Sequence, residues 1–313
     1  MNGCVRLRTL VFVFLVPVFA FPLAADPLTI ATWNVRFLSD GSRDDTELAL
    51  IADVVARYDL VAIQEARDET VLARLAVMLQ AYEYVASPRV GRGQKEIYAY
   101  FFRAGAAELL GTPYLIDDRD DLFIREPFVA HFRAGSFDFS LVTIHLLYGD
   151  SAADRREELI LLDEVLAAVD EANGAEADVM LLGDFNFPAD DGGWQLDGWE
   201  PTVAPTQKTT ISERSSYDNL WRRPGATGEF RGLVEIYAFD DRLFGGDDEA
   251  ASLAVSDHRP VAVMFETGLG DDDLPGEWNR RASIGEGSAG AGPTAGAEPT
   301  GRTETGSTSP GRH

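Results

Sequence analysis

The chain has 313 residues, with 27 Lys plus Arg set against 52 Asp plus Glu, for a formal net charge of -25. A hydrophobic content of 45% and a charged content of 25% are ordinary for a globular domain, which excludes a chain disordered as a whole. Such acidity also excludes a basic coat for nucleic acid, and the single cysteine, Cys4, excludes an internal disulfide framework or a multi-cysteine zinc site.

Residues 1–25 carry Arg6 and Arg8 and no acid, then an apolar run from Leu10 to Phe21, then Pro22-Leu23-Ala24-Ala25. That order reads as a secretory signal, and it predicts a secreted or periplasmic mature protein. The run is shorter than the ~20 residues a membrane span needs. Cys4 precedes the run, so it cannot be the lipid-modified cysteine of a lipoprotein.

Within residues 26–268, which carry a net -24, strand-like and helix-like runs alternate. Leu28 to Val35 alternates as a strand, and Asp44 to Tyr58 places Leu48, Ile51, Val54 and Val55 at helical spacing. Leu60 to Ile63 reads as a short strand and Val71 to Leu79 as a helix. Strands are expected at Ile97 to Phe102, Val129 to Phe132 and Phe139 to His145, and a helix at Glu157 to Val169. Val179 to Leu182, Ala254-Val255 and Val261 to Phe265 complete the strands. Mixed elements at this density predict an α/β sandwich. No strand is followed by a Gly-x-Gly-x-x-Gly turn, which argues against a dinucleotide fold.

From about Leu269 the composition shifts. Gly285 to Pro310 is dominated by Gly, Ser, Ala, Thr, Pro and Glu, with no aromatic residue and no apolar side chain larger than Ala. Residues 269–313 are therefore expected to form a disordered low-complexity tail.

The chemistry gathers where strands end. Asn34 ends the first strand, Glu65 follows the second, and His145 follows Leu141-Val-Thr-Ile. Asp184 and Asn186 close Met180-Leu-Leu-Gly-Asp-Phe-Asn, Asp218 lies in Ser216-Tyr-Asp-Asn, and Asp257-His258 precedes the last strand. Of four histidines, His313 is in the tail and His131 sits mid-strand, where a core or surface role is expected. His145 and His258 fall inside the polar motifs. Two imidazoles beside carboxylates suit phosphodiester hydrolysis, one group activating water and one protonating the leaving oxygen. Carboxylates such as Glu65 and Asp257 suit Mg²⁺ or Ca²⁺, whereas no His-Glu-x-x-His pattern supports zinc.

Taken in order, Trp33-Asn34, Gln64-Glu65, His145, Gly183-Asp184-Phe185-Asn186, Tyr217-Asp218 and Ser256-Asp257-His258 resemble the endonuclease/exonuclease/phosphatase superfamily over nearly all of residues 28–265. Asn34-Val-Arg36, Gln64-Glu-Ala-Arg67, Gly91-Arg92 before Lys95-Glu96, and Arg125-Glu126-Pro127 narrow the resemblance to the deoxyribonuclease I-like branch. The resemblance implies an α/β four-layered sandwich, two mixed β-sheets packed face to face with helices on the outside. It also implies metal-dependent hydrolysis of DNA to 5′-phosphate ends. Glu65, with Asn34 and Asp257, would hold Mg²⁺ or Mn²⁺. His145 would pair with Glu96 and His258 with Asp218, with Asp184 a rival to the rings as general base. Asn186 and Arg125 would bind the non-bridging oxygens, and Arg36, Arg67 and Arg92 would contact the DNA. No obligate protein partner is implied, and a monomer is expected.

Three departures stand out. Gly93-Gln94-Lys95-Glu96 is one residue shorter than the family's loop and lacks its minor-groove tyrosine, and the family's disulfides cannot form. Asp117 to Asp121 reads either as a solvated acidic loop or as a contracted version of a loop that binds structural Ca²⁺ in the family, with Asp118, Asp121 and Glu126 as the candidate ligands in that case. The superfamily's core also serves lipid headgroups and inositol phosphates, and Trp194 and Trp199 in a Gly-rich loop could touch a membrane. A non-catalytic binding module on the same scaffold is the third reading, which the complete set of ligands and imidazoles disfavours.

Overall fold

The computed structural model of the chain describes residues 26–93, 95–189, 194–268 and 273–285. The proposed secretory segment, Gln94 and residues 286–313 of the tail lie outside the described residues. The described elements run β1 (Leu28–Leu38), α1 (Asp45–Val55), β2 (Leu60–Ala66), α2 (Glu69–Met78), β3 (Tyr82–Ala86), β4 (Ile97–Arg103) and β5 (Glu108–Leu115). They continue with β6 (Asp117–Asp118), β7 (Phe128–Ala134), β8 (Phe137–His145), α3 (Ala152–Leu159), α4 (Leu162–Asn173) and β9 (Val179–Asp184). The last are β10 (Glu200–Pro201), β11 (Asp218–Arg222), β12 (Phe230–Ile236), α5 (Phe239–Phe244), α6 (Asp248–Ala254), β13 (Val261–Phe265) and β14 (Ser283–Ile284).

The strands form two six-stranded mixed sheets, β12-β13-β1-β2-β4-β3 and β10-β11-β9-β8-β7-β5, with β14 and β6 paired apart. Strand periodicity explains the layering. Along β1, Ile30 joins a core shared by both sheets, with Tyr98 and Tyr100 on one side and Phe132, Phe139 and Leu182 on the other. Its neighbours Ala31 and Trp33 point the opposite way, into a core formed with Leu48 and Ile51 of α1 and Leu72 of α2. On the far side, Val142, Ile144 and Leu181 pack against Leu162, Val165 and Val169 of α4. The result is the expected order of helices, sheet, sheet, helices.

Helix starts follow local chemistry. Asp44 caps α1 in a box with Glu47, each carboxylate accepting a backbone N–H, and Asp68 accepts Val71 N–H at the start of α2.

Three expectations are corrected. The helix expected at Glu157 to Val169 is two helices, α3 and α4, broken at Ile160 and Leu161. Leu159 and Leu162 are both buried, so the apolar spacing runs on across the break. Ala254-Val255 is not a strand but the end and C-cap of α6. The ordered body also continues past residue 268. Ala282 and Ile284 are buried in the α4-side core, β14 pairs β6, and Trp278 lies 5.0 Å from the His131 ring.

Candidate active site

Topology gathers the chemistry at one rim. Strands β1 and β2 run parallel with Asn34 opposite Gln64, and β8 and β9 run parallel with His145 opposite Asp184. Strand β11 is antiparallel to β9, which sets its first residue, Asp218, opposite the last residue of β9, Asp184. Strands β4 and β13 are antiparallel to β2 and β1, so Glu96 ahead of β4 and His258 ahead of β13 come to that same end. The rim opens into a cleft of about 860 Å³ lined by Asn34, Glu65, His145, Asp184, Asn186 and His258 among others.

The motif residues answer local constraints. A Cβ on Gly183 would sit 2.0 Å from the Ile144 carbonyl oxygen, so only glycine lets β9 close on β8 beside Asp184. Glu65 and Asn186 hold left-handed backbones, with φ of 63° and 50°. For such side chains this conformation costs roughly 1–3 kcal/mol and persists where surrounding contacts over-determine it. Glu65 is so held: its Oε1 accepts Asn34 Nδ2 at 3.1 Å and its Oε2 accepts Phe37 N–H at 3.0 Å.

Two imidazole–carboxylate pairs flank one buried aspartate. His145 Nδ1 lies 2.8 Å from Glu96 Oε1, and His258 Nδ1 lies 2.8 Å from Asp218 Oδ2. The Nε2 atoms of both rings lie 3.8 Å from the same oxygen, Asp184 Oδ2. Asn34 Nδ2 donates to that oxygen at 2.9 Å, while Asn186 N–H donates to Oδ1 at 2.9 Å.

Burial works against a charged ring at His145, but Glu96 outweighs it and the ring is held above its ordinary value. At His258 burial is again overcome, by Asp218 and Asp184, which push the ring up to about 10. Burial also raises the Asp218 carboxyl, against the pull of His258, so the two groups compete for one proton. The ring is the better seat, because Asp184 stabilises its charge from the other nitrogen. Burial would raise Glu65, yet His145, the Phe37 N–H, Asn34 and Arg67 together hold it below the usual carboxylate range.

The residues fit a hard divalent cation. Asn34 Oδ1 is buried with no hydrogen-bond partner although its residue lines the cleft, and Glu65 beside it is kept ionised. Both offer oxygen, the donor that Mg²⁺, Mn²⁺ and Ca²⁺ prefer. Asp257 lines the same cleft, 3.8 Å from the Arg36 guanidinium. The contracted acidic loop behaves differently. Asp118 Oδ2 accepts Phe123 N–H at 2.7 Å, and Asp121 meets Arg92 at 3.0 Å. Among the described residues, the groups of three or more acidic or imidazole side chains close enough to share an ion include none of Asp118, Asp121 and Glu126, nor Glu65 and Asp257, so a cation in the cleft would rest on the Asn34 and Glu65 oxygens alone.

The four expected arginines all line the cleft, and each meets a carboxylate. Arg125 lies 3.2 Å from Glu96 and also donates to His145 O at 3.1 Å, while Arg67 lies 3.2 Å from Glu65. Arg36 donates to Ser252 Oγ at 2.6 Å, and Arg92 also donates to the Asp121 carbonyl. The Asn186 side chain donates to Leu146 O at 2.8 Å.

Sequence reasoning missed the supports. Trp33 Nε1 donates to His258 O at 2.7 Å, and Ser256 Oγ donates to Asn34 O at 2.6 Å while accepting His258 N–H at 3.0 Å. Arg259, next in sequence to His258, grips buried Asp240 through two bonds of 2.8 and 2.5 Å. Tyr98 Oη accepts His145 N–H at 3.0 Å, and Gln64 Nε2 donates across the sheets to Thr143 Oγ1 at 2.9 Å. The strand residues lay in recognised runs, but nothing in the sequence pairs them. Of the core and surface roles expected for His131, the structure shows the core one. The residue is buried in β7, 2.8 Å from Ser140 Oγ, and burial lowers it to about 4.

The chain that carries this rim resembles known proteins over most of its length. Residues 31–258 match the Endonuclease/Exonuclease/phosphatase family, and the chain belongs to that family. Within it the chain stands in the deoxyribonuclease I-like branch, and it is a phosphodiester hydrolase. It is 32% identical over 283 residues to a deoxyribonuclease of Thioalkalivibrio sp. (strain K90mix), covering 83% of this chain and 77% of that one. It is 31% identical over 270 residues to deoxyribonuclease-1 of Sus scrofa, covering 76% and 92% of the two chains. The fold is shared with an endonuclease/exonuclease/phosphatase family protein of Bacteroides thetaiotaomicron, at a TM-score of 0.55 and 17% identity, covering 78% of this chain and 99% of that one.

Proposed function

We propose that the protein is a secreted, divalent-metal-dependent endonuclease that hydrolyses DNA to 5′-phosphate ends. The observation that carries this reading is the meeting of the His145–Glu96 and His258–Asp218 pairs on Asp184 Oδ2. The names of the relatives supply the substrate class. The secretory route rests on residues 1–25 of the sequence.

In hydrolysis a water attacks phosphorus, the bond from phosphorus to the 3′-oxygen breaks, one proton leaves the water and one reaches the 3′-oxygen. Both rings are held above their ordinary values and so enter as proton donors. Asp184 is the carboxylate between them, and it is positioned to accept the proton of the water. His258, with the higher value, protonates the leaving oxygen; His145, fixed by Glu96, hydrogen-bonds a non-bridging oxygen. Arg125 and Asn186 add donors where negative charge grows. A divalent ion held by Glu65 and Asn34, with Asp257 at the same cleft, would neutralise phosphate charge.

The lipid reading loses its sequence support. Trp194 is 6% exposed, donates to Leu159 O at 3.0 Å and packs on Trp221 at 5.0 Å, and Trp199 stacks beneath Arg223 at 4.7 Å. Trp194 is packed into the core rather than presented to a bilayer, and Trp199 is half-buried under Arg223. The test is purified protein with Mg²⁺ and Ca²⁺ on supercoiled plasmid, with sphingomyelin and inositol phosphates as parallel substrates. Nicking and linearisation of the plasmid are expected. Turnover of a lipid or inositol phosphate with intact plasmid would replace this reading.

A further inference from the structure

A second groove, of about 400 Å³, adjoins the catalytic cleft and is lined by Arg155, Lys208, Arg214, Phe187 and Tyr217 among others. Arg214, Ser215 and Tyr217 line both hollows, so the two are continuous. Apart from Ser216 and Tyr217, which precede Asp218, its lining falls outside the motifs read from the sequence.

Its charge sets it apart. The cleft arginines Arg36, Arg67, Arg92 and Arg125 each face a carboxylate of the protein. Among the described residues, Arg155, Lys208 and Arg214 make no such ion pair. Lys208 Nζ donates only to Pro205 O, at 3.3 Å, and Arg155 lies 4.9 Å over the Tyr148 ring. In a chain of net charge -25, carboxylates are the commonest charged partner. Three cations that converge on one hollow without one are poised for an anion from outside. Arg155 is also held in place: Tyr148, itself 58% exposed, lies between it and Tyr217, whose ring centroid is 6.4 Å away. That aromatic ridge leads from the catalytic cleft to the groove.

We propose that this groove is a phosphate subsite, which holds the DNA backbone beyond the scissile phosphodiester. The assignment rests on the nuclease reading and deepens it. The scissile phosphate sits at the paired imidazoles, where protein carboxylates already neutralise the nearby arginines. Attraction to the flanking phosphates comes from Arg155, Lys208 and Arg214, which meet no carboxylate among the described residues. Each phosphate that they neutralise releases condensed counterions and adds about 0.9 to the log–log salt slope of binding. A small diester with a single phosphate does not reach the groove.

The test uses the full mature chain carrying Arg155→Gln and Lys208→Gln together, with Lys208→Glu as a second variant. Gln keeps much of each stem, and matched melting temperatures check the fold. On duplex DNA the double variant is expected to raise KM with little change in kcat, and to flatten the salt slope by about two units. Lys208→Glu should raise KM further than the loss of one contact does. On bis(p-nitrophenyl) phosphate both variants should match wild type. If wild type cuts DNA and the double variant shows the same KM and salt slope, the groove assignment is overturned and the nuclease reading stands. If wild type hydrolyses the small diester but not DNA, the nuclease reading fails and takes the subsite with it. An equal loss on both substrates would also overturn the subsite, because it would place these residues in the chemistry.

Discussion

Strand β9 has a carboxylate cluster at each end. At its final residue, Asp184 lies with Asp218 and His258; just ahead of its first residue, Asp178 lies with Glu176 and Asp273. Six residues at about 3.3 Å each put the clusters roughly 20 Å apart. The catalytic end stabilises its carboxylates with imidazoles and amides: His145, His258, Asn34 and the Asn186 N–H all approach Asp184. At the far end Asp178 N–H donates to Glu176 Oε1 at 2.7 Å and Ala177 N–H donates to Asp273 Oδ2 at 2.5 Å. Glu176 is 2% exposed, and burial, with Asp273, Asp178 and Asp138 close by, pushes its carboxyl up to about 9. One end therefore keeps its charges and orders them, while the other neutralises Glu176 with a proton. Similar carboxylate groupings thus differ in chemistry because of what is packed around them.

The largest expected effect tests whether the catalytic end needs a cation. Exhaustive chelation should abolish hydrolysis, and Mg²⁺ or Mn²⁺ should restore it without Zn²⁺. Full turnover of the chelated protein would remove the role given to Glu65 and Asn34. The next effect concerns the rings. His145→Ala and His258→Ala should each lower kcat by about 10²–10⁴-fold, as loss of acid–base assistance usually does. Circular dichroism should stay native. Near-wild-type turnover in either folded variant would leave Asp184 without the partners assigned to it.

The catalytic end was legible in the sequence and the far end was not. Buried central strands write continuous apolar runs, as in Val179 to Leu182, and the polar residue that ends such a run is conspicuous. Asn34, His145 and Asp184 were visible for that reason. Glu96 was not: it precedes its strand in a short loop, and only the resemblance named it. Edge strands were missed as well. In β12 the consecutive residues Arg231, Gly232 and Leu233 are all exposed, and β5 contains Gly111 and Pro113, so neither shows a clean alternation. The Arg259–Asp240 grip joins residues 19 apart through tertiary packing, which no local pattern encodes. Glu176 and Asp273 are likewise brought together only by the segment after residue 272, which composition had assigned to the tail.

The smallest effect tests the far end, and its sign follows from the direction of the shift. Glu176 holds its proton to about pH 9 in the fold, against an ordinary value of 4.5. Between those values the unfolded chain has released a proton that the folded chain still binds, so stability falls as pH rises through this window. Above about 9 both states are ionised, and this contribution levels off. Glu176→Gln removes the titration, and its amide oxygen can still accept the Asp178 N–H. The melting temperatures of wild type and variant should therefore lie closest near pH 5 and diverge toward pH 9, with the variant higher. For a domain of this size each kcal/mol moves the midpoint by roughly 2–4 °C. Parallel curves across that range would show that Glu176 is not neutralised by a proton. A rise in the wild-type midpoint with Ca²⁺ at pH 8, absent in the variant, would show that a cation does the neutralising instead. The two ends of β9 would then differ only in which side chains surround the ion.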